Sequence, residues 1–116
     1  TGPYPYTGGL RFDVNTTAAL GARVSNIQVR NPTTGAWGPL DAVTTYKLFV
    51  LSFNATGGDG YKTLAAVPAA RRLDIGVLDA DVFLSYIDKQ AKDAATGLPV
   101  LKRLPVDLYG TQIFVN

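Results

Sequence analysis

The sequence predicts an α+β fold: a mixed or antiparallel sheet with one main amphipathic helix, over about residues 79–95. Three observations lead there. Short runs early in the chain alternate apolar and polar residues. A longer run, "VTTYKLFVLSF" at 43–53, is rich in β-branched and aromatic residues. A later stretch repeats its apolar residues at intervals of three and four.

Residues 1–9 are rich in Pro, Gly and Tyr and read as an extended lead-in. Leu10, Phe12 and Val14 then fall on one face of a strand, with Arg11 and Asp13 on the other. "NTTAALGAR" is a loop, and "VSNIQVR" at 24–30 is a second strand. Asn31-Pro32 opens a turn and Gly35 closes it, leading into a short strand at Trp37, which is expected to pack. The nearly continuous apolar character of 43–53 predicts a central strand covered on both faces. Tyr61 to Ala66 predicts a short helical turn stopped by Pro68, and "LDIGVL" at 73–78 a strand or extended segment. Asp79 is the expected N-cap of the main helix, whose stripe is Val82, Phe83, Tyr86, Ile87 and Ala91. Asp81 in its first turn, and Lys89 and Lys92 near its end, suit the helix dipole, so Asp79 and Asp81 read as helix-start chemistry. Gly97-Leu98-Pro99 ends the helical region, and "TQIFV" is a closing strand.

The chain has 116 residues, which suits a single domain over 1–116. Apolar residues make up 47% and charged residues 17%, a balance that favours a packed core over disorder. A net charge of +2 with scattered cations gives no case for nucleic acid, and Arg71-Arg72 and Lys102-Arg103 read as solvated surface. No apolar run reaches the roughly 18 residues that a membrane span needs. The beginning, "TGPYPYTGG", reads as a cut end without a signal-peptide pattern. Asn15-Thr16-Thr17 and Asn54-Ala55-Thr56 match the glycosylation sequon, which has meaning only in a eukaryotic secreted protein.

What is missing narrows the chemistry. The sequence has no His, Cys or Glu, and all nine acids are Asp. The usual zinc ligands and the Ser-His and Cys-His nucleophilic pairs are therefore absent. Acid-base options reduce to Asp, Lys and Tyr.

The candidate site is "FNATGGDGY" at 53–61. Three glycines around one carboxylate let a backbone pass close to a ligand. A phosphate cradle does not fit, because Asp59 repels an anion and no Lys-Ser/Thr follows. A Ca²⁺ loop needs more oxygen ligands than one Asp supplies. A carboxylate can instead accept hydrogen bonds from the vicinal hydroxyls of a ribose. Phe53, six residues earlier, could stack on a base. The competing reading is a tight loop in which Asp59 caps its own backbone and Phe53 belongs to the core.

The same stretch resembles the signature of the C-terminal domain of the 5'-nucleotidase family, which includes UDP-sugar hydrolases and cyclic-nucleotide phosphodiesterases. Phe53, Ala55, Gly57, Gly58, Asp59, Gly60 and Tyr61 fit that pattern, and Ser52 departs from a common Asn. "GGLRFDV", "GARVSNIQV", "GPLDAVTTYKLFV", "LDADVFLSYI" and "GTQIFV" resemble further pieces in the family's order. The resemblance implies that Phe53 is one side of a base clamp and that Asp59 binds ribose hydroxyls. Asn54, Gly57 and Gly58 would shape the pocket, while Gly60 and Tyr61 support the loop. It implies a hydrolase parent of the metallophosphoesterase type, extracellular or periplasmic, acting on a nucleotide. No cofactor is expected in this chain. Two divalent metal ions are expected in an N-terminal domain outside it, along with the family's second stacking Phe and its substrate-binding Arg and Asn residues. The upstream part of the same protein is then the expected partner. Two alternatives stand beside this reading: a structural or surface-interaction module derived from the domain, and another substrate such as a UDP-sugar or cyclic nucleotide.

Overall fold

A computed structural model describes residues 4–116, so the expected lead-in at 1–3 lies outside the described residues. The chain is α+β and forms two compact units. Among the described residues, one comprises 4–46 together with Leu104–Asn116, and the other is Lys47–Arg103.

The first unit is a four-stranded sheet. Its strands are β1 (Leu10–Asn15), β2 (Val24–Arg30), β3 (Trp37–Pro39) and β4 (Thr111–Val115). Their order is β3-β2-β1-β4. β1 pairs antiparallel with β2 and parallel with β4, and β2 pairs antiparallel with β3, so the sheet is mixed. All four strands fall where the sequence predicts them. The alternation in β1 has its expected consequence: among the described residues, Phe12 and Val14 are the buried apolar ones, 6% and 8% exposed. Asn26 adopts a positive φ of 50° opposite the irregularity between Arg11 and Asp13, and its Nδ2 donates to Asp13 Oδ2 at 3.1 Å.

Side chains fix the turns of this unit. Asn31 Oδ1 accepts the backbone N–H of Thr33 and Thr34 at 2.8 and 3.0 Å, and Gly35 closes the turn at φ 74°. Trp37 is half-buried, as expected of a packing residue, and the Arg11 guanidinium lies 4.4 Å from its ring centroid. Arg11 Nε also donates to Gln28 Oε1 at 2.7 Å, tying the first two strands together through side chains.

The second unit carries short helices: α1 (Ser52–Ala55), α2 (Lys62–Ala65) and the main helix α3 (Asp79–Asp88). Three expectations need correction. First, residues 43–51 form no strand, and Ser52 and Phe53 open α1 instead. β-propensity expresses the fit of a side chain to a paired, half-covered sheet surface. Here no strand of the sheet pairs with the run, and its side chains are exposed, Phe49 by 77%. Second, α3 ends at Asp88 rather than near 95. Asp93 Oδ1 accepts the N–H of Ala95 and Thr96, while Asp93 N–H donates to Leu98 O and Val100 N–H to Ala91 O. This local turn, with Gly97 at φ 68° and Lys92 bridged to Pro99, takes the backbone groups that a longer helix would use. Third, the stripe of α3 is not buried: Val82 and Phe83 are each 56% exposed. Asp79 sits one position inside the helix start, with Leu78 as the extended flanking residue. Residues 73–78 carry no ladder, the extended-segment outcome of the two expected there.

Two predictions follow from packing and turn chemistry. Phe12→Ala should lower unfolding free energy by about 3 kcal/mol, whereas Leu20→Ala, at a side chain 90% exposed, should change it by less than about 0.5 kcal/mol. Urea denaturation followed by far-UV circular dichroism compares them. The Asp93 carboxyl is held below the usual aspartate value by the Thr96 backbone and side-chain hydrogen bonds, then by the Ala95 N–H. Thr44 and the Val43 N–H act likewise on Asp41. A folded-state value below the unfolded one adds stability that is present above the unfolded value and lost as pH falls through the folded one. Carboxyl-carbon NMR titration should therefore place both groups below the ordinary aspartate range. Asp93→Asn should flatten the acid-side loss of the 93–98 turn.

Candidate functional site

The site is built from α1, the glycine turn and α2, all within the second unit. Leu51 enters in an extended conformation (φ −64°, ψ 146°), and the chain then winds once through Ser52–Ala55. Thr56 closes that turn: its Oγ1 donates to Ser52 O and Phe53 O at 3.0 Å each. Gly57 follows at φ 101°, Asp59 at φ 55° and Gly60 at φ 84°. Three left-handed residues within four make this a tight reversal, and glycine meets the requirement at two of them without a Cβ penalty. Asp59 is one of the few non-glycine residue types that tolerate this region. Tyr61 N–H donates to Gly58 O at 3.2 Å, and α2 begins immediately after.

Gly58 explains the position of the aromatic ring. A Cβ at residue 58 would fall 2.5 Å from Cδ1 and Cζ of Phe53, so the ring lies directly against the Gly58 backbone. A Cβ at Gly57 would come 3.2 Å from the Cβ of Ala65 in α2. The glycines therefore serve close approach on two sides: Gly58 to the Phe53 ring, Gly57 to α2.

Phe53 is 61% exposed, so the core reading of this residue does not hold. Asp59 is also exposed. Asp41, Asp74, Asp79 and Asp93 each accept a backbone N–H within hydrogen-bonding distance. Among the described residues, the Asp59 carboxylate makes no such bond. Asn54, Gly57, Gly58 and Tyr61 are half-buried, and Gly60 is exposed. The structure thus brings the sequence-predicted residues into one short loop with an exposed ring and an exposed carboxylate.

The sequence reading missed Arg72. The sequence pairs it with Arg71 as solvated surface, yet its Nη2 donates to Leu64 O at 2.6 Å and to Ala65 O at 2.5 Å, the last residues of α2. Unsatisfied carbonyls at a helix end followed by an arginine are a recognisable signal, but the Arg71-Arg72 pair does not say which cation turns back.

The residues present do not fit a two-metal centre. The sequence holds no His, Cys or Glu, and among the described residues no three Asp come together in a ligand group.

Substitution at the turn has a clear expectation. Gly58→Ala should push the Phe53 ring off its resting place and shift its aromatic proton resonances, while Gly8→Ala, with open space around residue 8, should leave them unchanged. Two-dimensional NMR of the ring protons reads both.

The family model described as 5'-nucleotidase, C-terminal domain, matches residues 1–66 and so includes the whole glycine turn. An NAD 5'-nucleotidase of Haemophilus influenzae is 33% identical over 77% of this chain and 15% of its own length. Protein UshA of Escherichia coli is 31% identical over 78% of the chain and 14% of its own length. An apyrase of Aedes aegypti is 34% identical over 72% of the chain and 15% of its own length. The chain thus spans about one-seventh of the length of these relatives. No solved structure matches it.

Proposed function

Because the chain belongs to the 5'-nucleotidase C-terminal domain family, we propose that it is the nucleoside-recognition portion of a two-metal 5'-nucleotidase-type phosphohydrolase. Phe53 stacks on the base, and Asp59 accepts hydrogen bonds from the ribose hydroxyls. Asn54, Gly57 and Gly58 shape the pocket, with Gly60 and Tyr61 supporting the turn. The observation that carries this reading is an exposed aromatic ring seated against Gly58 on the same turn as an exposed carboxylate.

Each part has a physical reason. An exposed Phe ring offers a flat apolar surface to any base, worth about 1–3 kcal/mol per stacked base. A carboxylate that is not occupied by its own backbone keeps its lone pairs for vicinal hydroxyls. Its charge is also a poor host for phosphate, which directs the phosphate end of a nucleotide away from this turn. This chain then supplies position rather than bond-breaking chemistry. Two divalent ions, held by an N-terminal metallophosphoesterase domain of the parent, would supply the polarisation of the phosphate and the activation of water.

The remaining partner is the upstream part of the same protein. The share of the relatives that the chain spans supports it, as do the exposed apolar side chains Leu48, Phe49, Phe83 and Leu84. On this reading the parent works in the periplasm or the extracellular space. No helix among the described residues is long and apolar enough to cross a membrane.

Kinetics of the full-length parent with AMP test the assignment. Phe53→Ala should lower kcat/KM by about 5- to 150-fold, chiefly through KM, with metal content unchanged. Asp59→Asn is the better probe of the sugar contact, because Asn tolerates the left-handed backbone while the charge and one of the two acceptor oxygens are lost. It should weaken AMP more than 2',3'-dideoxy-AMP. Unchanged kcat/KM in Phe53→Ala would remove the clamp.

A further inference from the structure

We propose that Arg72 is a positioning residue for the nucleoside turn, holding α2 in place so that Gly57, and with it Phe53 and Asp59, keep their geometry. The inference rests on the nucleoside-site reading and assigns the pocket a support that lies thirteen residues beyond Asp59 and outside the family-model match.

The connection runs through named atoms. α2 has only four residues, Lys62–Ala65, too short to hold itself in water. Its N–H groups return to the turn: Leu64 and Ala65 both donate to Tyr61 O, at 3.0 and 3.2 Å. Its carbonyl end is held by Arg72, whose Nη2 donates to Leu64 O and Ala65 O at 2.6 and 2.5 Å. These are charge-assisted bonds to carbonyls at a helix C-terminus, where a cation also meets the negative end of the helix dipole. Ala65 is in turn the residue against which Gly57 rests, with 3.2 Å between the Ala65 Cβ and a Cβ placed on Gly57. Gly57 leads directly into Gly58, where the Phe53 ring lies.

Neighbouring groups leave this role to Arg72. No side chain caps the start of α2, and the basic residue within it, Lys62, stands at its N-terminal end, where it cannot serve the carbonyls. Val67 N–H takes Leu64 O at 3.1 Å and Ala66 N–H takes Lys62 O at 3.0 Å, so Ala65 O has Arg72 as its hydrogen-bond donor. Loss of the guanidinium frees the end of α2, and the Gly57 contact becomes one among several positions of the turn.

Adenosine binding to the full-length parent, measured by isothermal titration calorimetry, tests this in four variants: Arg72→Ala, Arg72→Lys, Phe53→Ala and the Arg72→Ala/Phe53→Ala double. Arg72→Ala should raise the adenosine Kd by about 3- to 10-fold, the scale of one ordinary net hydrogen bond, because the two guanidinium bonds act on the ligand only through α2. Arg72→Lys keeps a cation able to reach the same carbonyls and should recover much of that loss. In the Phe53→Ala background, Arg72→Ala should add little, because the ring that it positions is gone. Amide exchange should quicken at Ala65–Val67 in Arg72→Ala and stay unchanged in the sheet. A wild-type Kd for Arg72→Ala overturns the inference, as does full additivity with Phe53→Ala, or a loss that Lys does not reduce. If Phe53→Ala itself leaves the Kd unchanged, the nucleoside-site reading fails, and the positioning role falls with it.

Discussion

The site depends on the absence of one carbon atom. Residue 58 has no Cβ, so the Phe53 ring can lie against its backbone, and a methyl group there would occupy the place of the ring. The ring is thereby held on a turn that leaves most of it in solvent. An aromatic residue in the open is costly unless something covers it, and burying a Phe side chain is worth roughly 1.5–3 kcal/mol. A turn that leaves a ring uncovered against its own backbone is suited to a flat ligand. The same turn presents Asp59 from a left-handed conformation, with a carboxylate that does not cap its own loop.

The geometry divides into a scaffold and a presented turn. In the sheet unit, apolar alternation buries Phe12 and Val14, and side chains such as Asn31 and Arg11 fix turns and strand neighbours. In the second unit, short helices and aspartate-held turns arrange a chain with many exposed apolar side chains. On the proposed reading, a parent that carries the remainder of the pocket and the metal ions would complete both.

Much of this was legible in the sequence, and the reasons differ by element. The strand at 10–15 declared itself through a period of two, which buries Phe12 and Val14, and the strand at 24–30 through its β-branched residues and the Ile27/Val29 pair. The turn at 57–60 declared itself through its glycines, because left-handed backbone restricts residue choice strongly. The run at 43–51 misled, since "VTTYKLFVL" carries the composition of a strand while pairing is decided by what lies alongside it. The end of α3 misled for a local reason: Asp93 offers the backbone an alternative to the helix that a stripe of apolar residues does not reveal. Arg72 was invisible because a long side chain in a pair of cations can point either to solvent or back onto a helix end.

The most direct measurement is a crystal structure of the full-length parent with adenosine bound. The base should lie on the Phe53 ring, with a ribose hydroxyl within hydrogen-bonding distance of an Asp59 carboxylate oxygen. Adenosine bound elsewhere, with Phe53 covered by other parts of the protein, would contradict it.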